Sequence, residues 1–500
     1  MNIQLRGKYW YISDIPPEFD KNLLLGWRQK KGDPYIIAED NAVNSFVLGQ
    51  TRPWLKQRSS APFTPDMLST ELLPFQINDI FKMVELPNFL NTNPMGLGKT
   101  IETVQFLKLM QAKNALIVCP KIIRSQWQTQ LQRWGDFSAQ VFEGQSKVDK
   151  GFWIVNYDKL RSPKVLTQFK NFQWEYLIVD EAHKIKNRSA QQTVAVKSIP
   201  AAHRVALTGT PILRYVDDLW SILNFVDPRY ACNSYHTFVN YFCALQRTPW
   251  GDKIAGLTKH PAKIALLNKL MDTVGIRNNA VKVARGKTCE IVKLPMGKKQ
   301  RELYRKEKQL LLDELPENCT IANGAVLTLR LIQTTSWPGL FIENEPGPKF
   351  EWILEMCKNN SHEKIVVFTV FERTATALKA YLKEQRINAR AVTGKQTPED
   401  NEKSREEFIT GHAQVLVGTI GAMGQGYDGL QTVSHTVVFI DRDWSPEICK
   451  QAEDRLHRMG QTKLVNIYYL ECQGSFDQHV GRINRNKACD IREALNDDEE

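Results

Sequence analysis

The chain lacks several features that would have assigned it quickly. Its nine cysteines, among 500 residues, include no Cys-x-x-Cys pair. That argues against a zinc module and for a reducing compartment. Cys232, His236 and Cys243 share a short segment, but at no familiar zinc spacing. No run of about 18 apolar residues occurs, so no membrane span is expected. Met1 to Trp10 has no apolar stretch of the secretion-signal kind, which points to a cytoplasmic or nuclear setting. No short tandem repeat is present. Negative charge is the minority sign: 66 Lys and Arg against 55 Asp and Glu leave a net charge of +11. That excess fits a polyanionic partner, and it equally fits a lysine-rich soluble protein.

What is present has the organisation of about three domains, given this length. Residues 1–65 read as a small β-rich module. Tyr9–Ile12, Tyr35–Ile37 and Ser45–Leu48 look like short strands between Gly, Pro and Asp breakers. Pro62, Pro65 and Pro74 punctuate the approach to the next unit, 66–228. There, Ala115–Cys119, Phe152–Val155, Tyr176–Val179 and Val205–Leu207 are continuous apolar runs separated by helical spacers. That pattern predicts a parallel sheet covered on both faces, with its chemistry at the C-terminal ends of the strands. Across 229–343 the basic residues become dense and strand signals fade, which predicts a helical insertion. Within it Lys298–Lys308 reads as a basic helix, either a solvated face or a surface that follows phosphates. From 344 to 480 the alternation returns, with apolar strands at Lys364–Phe368, Ala389–Val392, Gln414–Val417 and Thr436–Ile440. Residues 481–500 read as a tail, frayed at its acidic end Asp497–Glu500. The expected fold is therefore α/β, with two parallel-sheet lobes, a helical basic insertion and a small N-terminal module.

Three segments carry chemistry. Asn93-Pro94-Met95-Gly96-Leu97-Gly98-Lys99-Thr100 ends in the Gly-Lys-Thr of a phosphate-binding loop. Its backbone N–H groups would cradle phosphates, Lys99 would reach the β/γ-phosphates and the Thr100 hydroxyl would bind Mg²⁺. Asn93 stands where the general pattern has glycine. Asp180-Glu181-Ala182-His183 follows directly on a predicted strand. Asp180 there would hold the metal and Glu181 would orient and deprotonate water. Such a pair alone is ordinary loop chemistry; beside Lys99 and Thr100 it is not. In the second half Arg455 and Arg458 are three apart, which would place them on one helix face, able to stabilise phosphoryl charge.

The motifs, in this order, resemble those of the Swi/Snf-type ATPases of helicase superfamily two. The resemblance spans about residues 70–475. It rests on Leu73-Pro74-Phe75-Gln76, Met95–Thr100, Pro120-Lys121 through Trp127, Asn156-Tyr157-Asp158, Asp180–His183 with Lys186-Asn187, and Leu207–Pro211 followed by Asp217–Phe225. It continues through Leu329–Gln333, Ser336-Trp337-Pro338, Val367–Thr369, Thr419–Gly426 and Trp444–Gln461. Gln-Ala-Glu-Asp-Arg at Gln451–Arg455 and Leu-Pro-Phe-Gln look most like the annealing-helicase branch. The chain departs from the family at Pro94, at Ile212-Leu213-Arg214 and at Asp428, where a neutral residue is usual. Asn93 is closer to the family than to the general loop, because the family has an acidic residue there.

The resemblance implies two RecA-like lobes with ATP and Mg²⁺ between them. ATP would be bound by Gln76, Met95, Gly96, Leu97, Gly98, Lys99, Thr100 and Gln451. Thr100 and Asp180 would hold the metal; Lys99, Asp180, Glu181, Arg455 and Arg458 would carry the catalysis. Double-stranded or branched DNA would be the partner, contacted by loops around Lys121, Thr210 and Thr419. The basic insertion then gains weight as part of the DNA path. A monomer is expected, with residues 1–65 free to serve a protein partner or a substrate. The competing readings are an RNA helicase of the same superfamily and a DNA-binding scaffold with a degenerate nucleotide site.

Overall fold

A computed structural model describes residues 1–6, 8–16, 19–24, 27–29, 36–39, 41–49, 63–144, 146–232, 234–248, 251–278, 286–314, 321–423, 429–458 and 460–497. Tyr35, Pro62, Gly426, Asp428, Met459 and residues 498–500 of the expectations above lie outside this set. The chain divides into two compact units, Met1–Val281 with Cys489–Glu500, and Lys282–Ala488.

In the first unit, β1 (Asn2–Arg6), β2 (Tyr9–Ser13) and β3 (Ile36–Glu39) form an antiparallel sheet. Trp10, Ile12, Ile36 and Ala38 alternate onto its inner face and close a small core with Leu24 and Leu48. The third strand expected in this module, Ser45–Leu48, is instead part of helix α1 (Ala42–Val47). Asn41 caps it by accepting a bond from the Asn44 amide at 2.9 Å, and Ala42 and Val43 bury into the core of the larger sheet. Packing and capping outweigh the strand propensity of so short an apolar run.

The larger sheet has seven parallel strands. They are β4 (Phe89–Asn91), β5 (Ala115–Cys119), β6 (Ala139–Val141), β7 (Phe152–Asn156), β8 (Trp174–Asp180), β9 (Ala201–Leu207) and β12 (Gly275–Ile276), in the order β12-β4-β9-β8-β5-β7-β6. A separate hairpin, β10 (Cys243–Thr248) and β11 (Gly251–Leu257), lies outside it. Along β5, Leu116 and Val118 face one apolar core while Ala115, Ile117 and Cys119 face another. Both faces are covered, which is why the run is apolar throughout and does not alternate with polar residues.

The second unit has six parallel strands: β13 (Lys287–Leu294), β14 (Lys364–Thr369), β15 (Ala389–Val392), β16 (Val415–Thr419), β17 (Ser434–Phe439) and β18 (Val465–Cys472). Their order is β13-β18-β17-β14-β16-β15. Val366 and Phe368 point into one core and Ile365 and Val367 into the other. Each unit is thus the parallel-sheet α/β lobe expected.

The stretch 229–343 is only partly helical. It supplies β10, β11 and β12 to the first unit and β13 to the second. β12 is two residues long and β13 alternates exposed Cys289 and Ile291 with polar residues, so neither has the apolar density that marks a central strand. The predicted basic helix is present over Lys298–Glu314; Gln300, Tyr304 and Glu307 bury one stripe, and its lysines and arginines face solvent. Residues 476–495, read in part as a tail, form one helix. Asp497 is not frayed: its carboxylate accepts from Arg277 Nε at 2.6 Å and Nη2 at 2.5 Å.

Candidate functional site

In the first unit, β4, β9 and β8 are neighbours and parallel, so their C-terminal ends open onto one edge. β4 leads into Asn93–Lys99, β9 into Thr208–Pro211, and β8 ends at Asp180. Three motifs far apart in sequence are thereby delivered side by side.

The phosphate loop turns through Gly96 (φ 82°) and Gly98 (φ 90°), both in the left-handed region that favours glycine. Helix α3 (Lys99–Leu109) starts immediately after, so its first N–H groups face the loop. Gly98 is needed for a second reason: a Cβ there would stand 2.4 Å from Gln76 Nε2. Gln76, in helix α2 (Pro74–Glu85), accepts from the Leu73 amide at 2.9 Å and donates to the Leu97 carbonyl at 2.8 Å. It therefore both caps its helix and fastens the loop. Lys99 Nζ donates to the carbonyls of Asn93 at 2.8 Å and Pro94 at 3.1 Å. Pro94, lacking an N–H, contributes to the loop through its carbonyl. Gly209 packs here too, since a Cβ on it would lie 3.4 Å from Lys99 Nζ and 3.1 Å from Met95 Cγ.

Asn93 is fully buried in a polar cluster. Its Nδ2 donates to Asp79 at 2.7 Å and lies 3.3 Å from Glu102, while its Oδ1 accepts from the Asn278 amide at 2.9 Å. Asn91 donates to Glu102 at 2.9 Å. Burial, and then the nearby charge of Asp79, pushes the Glu102 carboxyl up to about 8. Burial likewise raises Asp79. An aspartate at 93 would set a third buried carboxylate against these two, so the amide is the side chain this cluster requires.

At the end of β8, Asp180 accepts from Trp127 Nε1 at 2.7 Å and from the Glu181 amide at 2.8 Å, and burial raises its pKa. Tyr157 donates to the Asp180 carbonyl at 2.5 Å. Glu181 sits at φ 53°, ψ 53°, a left-handed conformation costly for a non-glycine residue and concentrated at functional sites. Its Oε2 is 3.3 Å from His183 Nδ1, which also lies 3.4 Å from Thr208 Oγ1. Thr208 Oγ1 in turn accepts from the Thr210 amide at 3.2 Å. One histidine thus ties the acidic motif to the Thr-Gly-Thr motif. Asp218 accepts from the amides of Leu213 and Arg214 at 2.9 and 2.8 Å, which orders the unusual Ile212-Leu213-Arg214 turn. Lys121 is exposed just beyond β5.

In the second unit, Thr419 ends β16 and its Oγ1 accepts from the Ala422 amide at 3.3 Å. The helix Pro446–Glu453 carries Gln451, which is buried. That helix stops at Glu453, so Arg455 and Arg458 stand in the turns that follow and not on a shared helix face. Past Glu453 the backbone closes tighter turns, with the Arg455 amide on the Ala452 carbonyl at 3.2 Å and the Leu456 amide on the Glu453 carbonyl at 3.0 Å, while the Glu453 carboxylate accepts from Tyr469 Oη and from Lys287 Nζ at 3.3 Å. Gln461 Nε2 then pins the turn to the Ser434 carbonyl at 2.9 Å.

Sequence reasoning missed the roles of Asp79, Glu102, Trp127 and Tyr157. Trp127 and Tyr157 lie inside family-like motifs, but nothing local indicates a bond to a residue more than 20 positions away. Among the described residues no group of three His, Cys, Asp or Glu side chains is placed to hold a metal. Magnesium does not need one, because it binds through one or two protein oxygens with phosphates and water. The hard oxygens of Thr100 and Asp180 fit that requirement.

A parallel sheet with a glycine-rich loop after β4 and an Asp-Glu pair after β8, one strand apart, has the features of a nucleotide-binding α/β lobe. The chain belongs to the SNF2-related family: the model of the SNF2-related domain matches residues 85–334, half of the 500, and that of the helicase conserved C-terminal domain matches 348–460. Among curated proteins it is similar to the human SWI/SNF-related matrix-associated actin-dependent regulator of chromatin subfamily A member 1, 26% identical over 430 residues. It is also similar to the probable ATP-dependent DNA helicase CHR12 of Arabidopsis thaliana, 28% identical over 465 residues. The alignments cover 79% and 82% of this chain but only 40% of each relative. The chain thus spans about 40% of the length of the curated relatives it matches. Among solved structures, the Sulfolobus solfataricus SWI2/SNF2 ATPase core in complex with dsDNA aligns with a TM-score of 0.41 at 22% identity, covering 88% of this chain and 100% of that one.

Proposed function

We propose that this chain is an ATP-dependent translocase on double-stranded DNA. The observation that carries the reading is the convergence of Lys99, Asp180-Glu181 and Thr208–Thr210 on one edge of the first sheet. Lys99 binds the β/γ-phosphates, exchanging its bonds to the Asn93 and Pro94 carbonyls for phosphate oxygens. Thr100 and Asp180 hold magnesium, which when bound neutralises charge across the phosphates. Glu181 orients and deprotonates the attacking water. Arg455 and Arg458 of the second lobe stabilise charge on the transferred phosphoryl group, and Gln451 supports ATP binding beside them. Gln76 holds the loop in shape and reads the base. Duplex DNA is contacted at its phosphates by loops around Lys121, Thr210 and Thr419, and the exposed lysines and arginines of Lys298–Lys308 are a further surface for phosphates. The finer role is fork remodelling, branch migration or strand annealing in a reducing, DNA-containing compartment. Among the described residues no helix is long and apolar enough to cross a membrane.

Steady-state ATP hydrolysis, measured with linear duplex, forked and single-stranded DNA and with duplex RNA, tests the reading. Strong stimulation by duplex DNA is expected. Equal turnover with and without DNA removes the translocase assignment, and a preference for duplex RNA replaces it with an RNA helicase.

A further inference from the structure

The opposite edge of the first unit's large sheet, where β4 and β9 begin, holds an open cavity of about 520 Å³. Its polar lining comes from Asn88, Lys197, Arg204, Asn224, Asp227 and Arg229. The acceptors there are already used. The Asp227 carboxylate is engaged by Arg229 through Nε at 2.9 Å and through Nη2, and by the Arg229 amide. Asn88 Oδ1 accepts from the Arg204 amide at 2.8 Å, and Asn224 Oδ1 accepts from Lys197 Nζ at 2.9 Å. The same lining carries the side-chain donors of Asn88, Asn224, Lys197 and Arg204.

The two cations are poorly compensated. Lys197 Nζ bonds only neutral oxygens, Asn224 Oδ1 and Ser221 Oγ at 3.0 Å, and lies over the Trp220 ring at 5.1 Å. Arg204 Nη2 donates to the carbonyls of Ile199 at 2.8 Å and Lys197 at 3.4 Å, and its guanidinium lies over Phe225 at 5.1 Å. Among the described residues neither makes an ion pair with a carboxylate. Burial, and then the charge of Arg204, lowers Lys197 to about 8, and burial lowers Arg204 as well. Two partly desolvated like charges facing a solvent-filled cavity are stabilised by an anion that binds both. A staple between the helices Gln191–Lys197 and Asp218–Val226 accounts for the Lys197 bonds to Ser221 and Asn224. It does not account for Arg204, whose guanidinium donates to backbone carbonyls and meets no carboxylate among the described residues.

We propose that this cavity is a second anion site, distinct from the phosphate loop and built for a phosphate group. The phosphate comes either from a small free phosphate or from a nucleic-acid backbone. The Lys99→Ala chain removes the phosphate loop's own anion affinity and is the background for the test. Calorimetry with pyrophosphate, against chloride at matched ionic strength, is expected to find one site in this protein. Adding Lys197→Gln and Arg204→Gln is expected to weaken binding about tenfold or more, as loss of charge-assisted hydrogen bonds requires. Lys197→Arg retains the donors and is expected to retain binding. Asn88→Asp places a carboxylate in the lining without touching either cation and is expected to abolish binding, which keeps the test decisive if the double variant unfolds. Displacement of pyrophosphate by a short DNA duplex assigns the backbone as the source, and failure to displace it assigns a free phosphate. No pyrophosphate binding in Lys99→Ala, or equal affinity in Lys99→Ala with and without Asn88→Asp, overturns the proposal.

Discussion

Glu181 and Glu102 are two acids in opposite surroundings. Glu181 occupies a left-handed backbone position at the open edge of the sheet, braced by His183. Glu181 is the proposed base, and its replacement by Gln keeps the shape and removes the proton acceptor. Glu181→Gln is expected to lower turnover by about 10²–10⁴-fold while ATP still binds. Lys99→Ala is expected to abolish turnover and weaken ATP binding as well. Single-turnover hydrolysis with a parallel nucleotide-binding assay separates the two, and wild-type rates in either remove the site assignment. Glu102 is buried beneath the loop and bonded to Asn91. Its carboxyl is raised from 4.5 to about 8 on folding, so the folded state holds the proton more tightly. The stabilisation is complete below about 4.5 and is lost as pH rises toward about 8. Thermal unfolding from pH 5 to 8 is expected to show a shallower decline for Glu102→Gln than for the wild type. An unchanged slope would place the proton elsewhere. Glu181 is legible in the sequence because its neighbours are adjacent in the chain; Glu102 is not, because its partners lie 9 to 23 positions away.

At the level of elements, the proposed nucleotide binding depends on the turn from β4 to α3. Gly98 permits a positive φ and leaves room for the Gln76 amide in one stroke. Gly98→Ala is expected to cost about 1–3 kcal/mol in backbone strain and to push Gln76 off the Leu97 carbonyl. Its signature is a raised KM for ATP together with a lowered Tm; a loss of Tm alone would mean that Gln76 does not shape the site. The central strands were legible because full burial on both faces writes an unbroken apolar run. β12 and β13 were not, since an edge strand needs only backbone pairing on one side and can be short or polar. The helix at Ala42–Val47 was misread for the complementary reason: six residues are too few for periodicity to tell helix from strand.

Across the whole molecule, the residues proposed for the chemistry are divided between units. The first carries Lys99, Thr100, Asp180 and Glu181; the second carries Gln451, Arg455 and Arg458. If hydrolysis needs both, Arg455→Ala should reduce kcat far more than ATP affinity, because the guanidinium acts mainly on charge that develops in the transition state. Equal losses in both would give Arg455 a ground-state role. The sequence by itself determined the two parallel-sheet lobes, the phosphate loop and the acidic pair. Each of these is written by residues close together in the chain, through burial patterns and glycine-dependent turns. Only the tertiary structure decided which partners Asn93 takes, that Asp497 is held by Arg277, that Arg455 and Arg458 leave the helix before them, and that Lys197 and Arg204 line one cavity. Those facts rest on contacts between residues distant in sequence, and a buried charge or amide takes its partner from whatever the fold brings within about 3 Å.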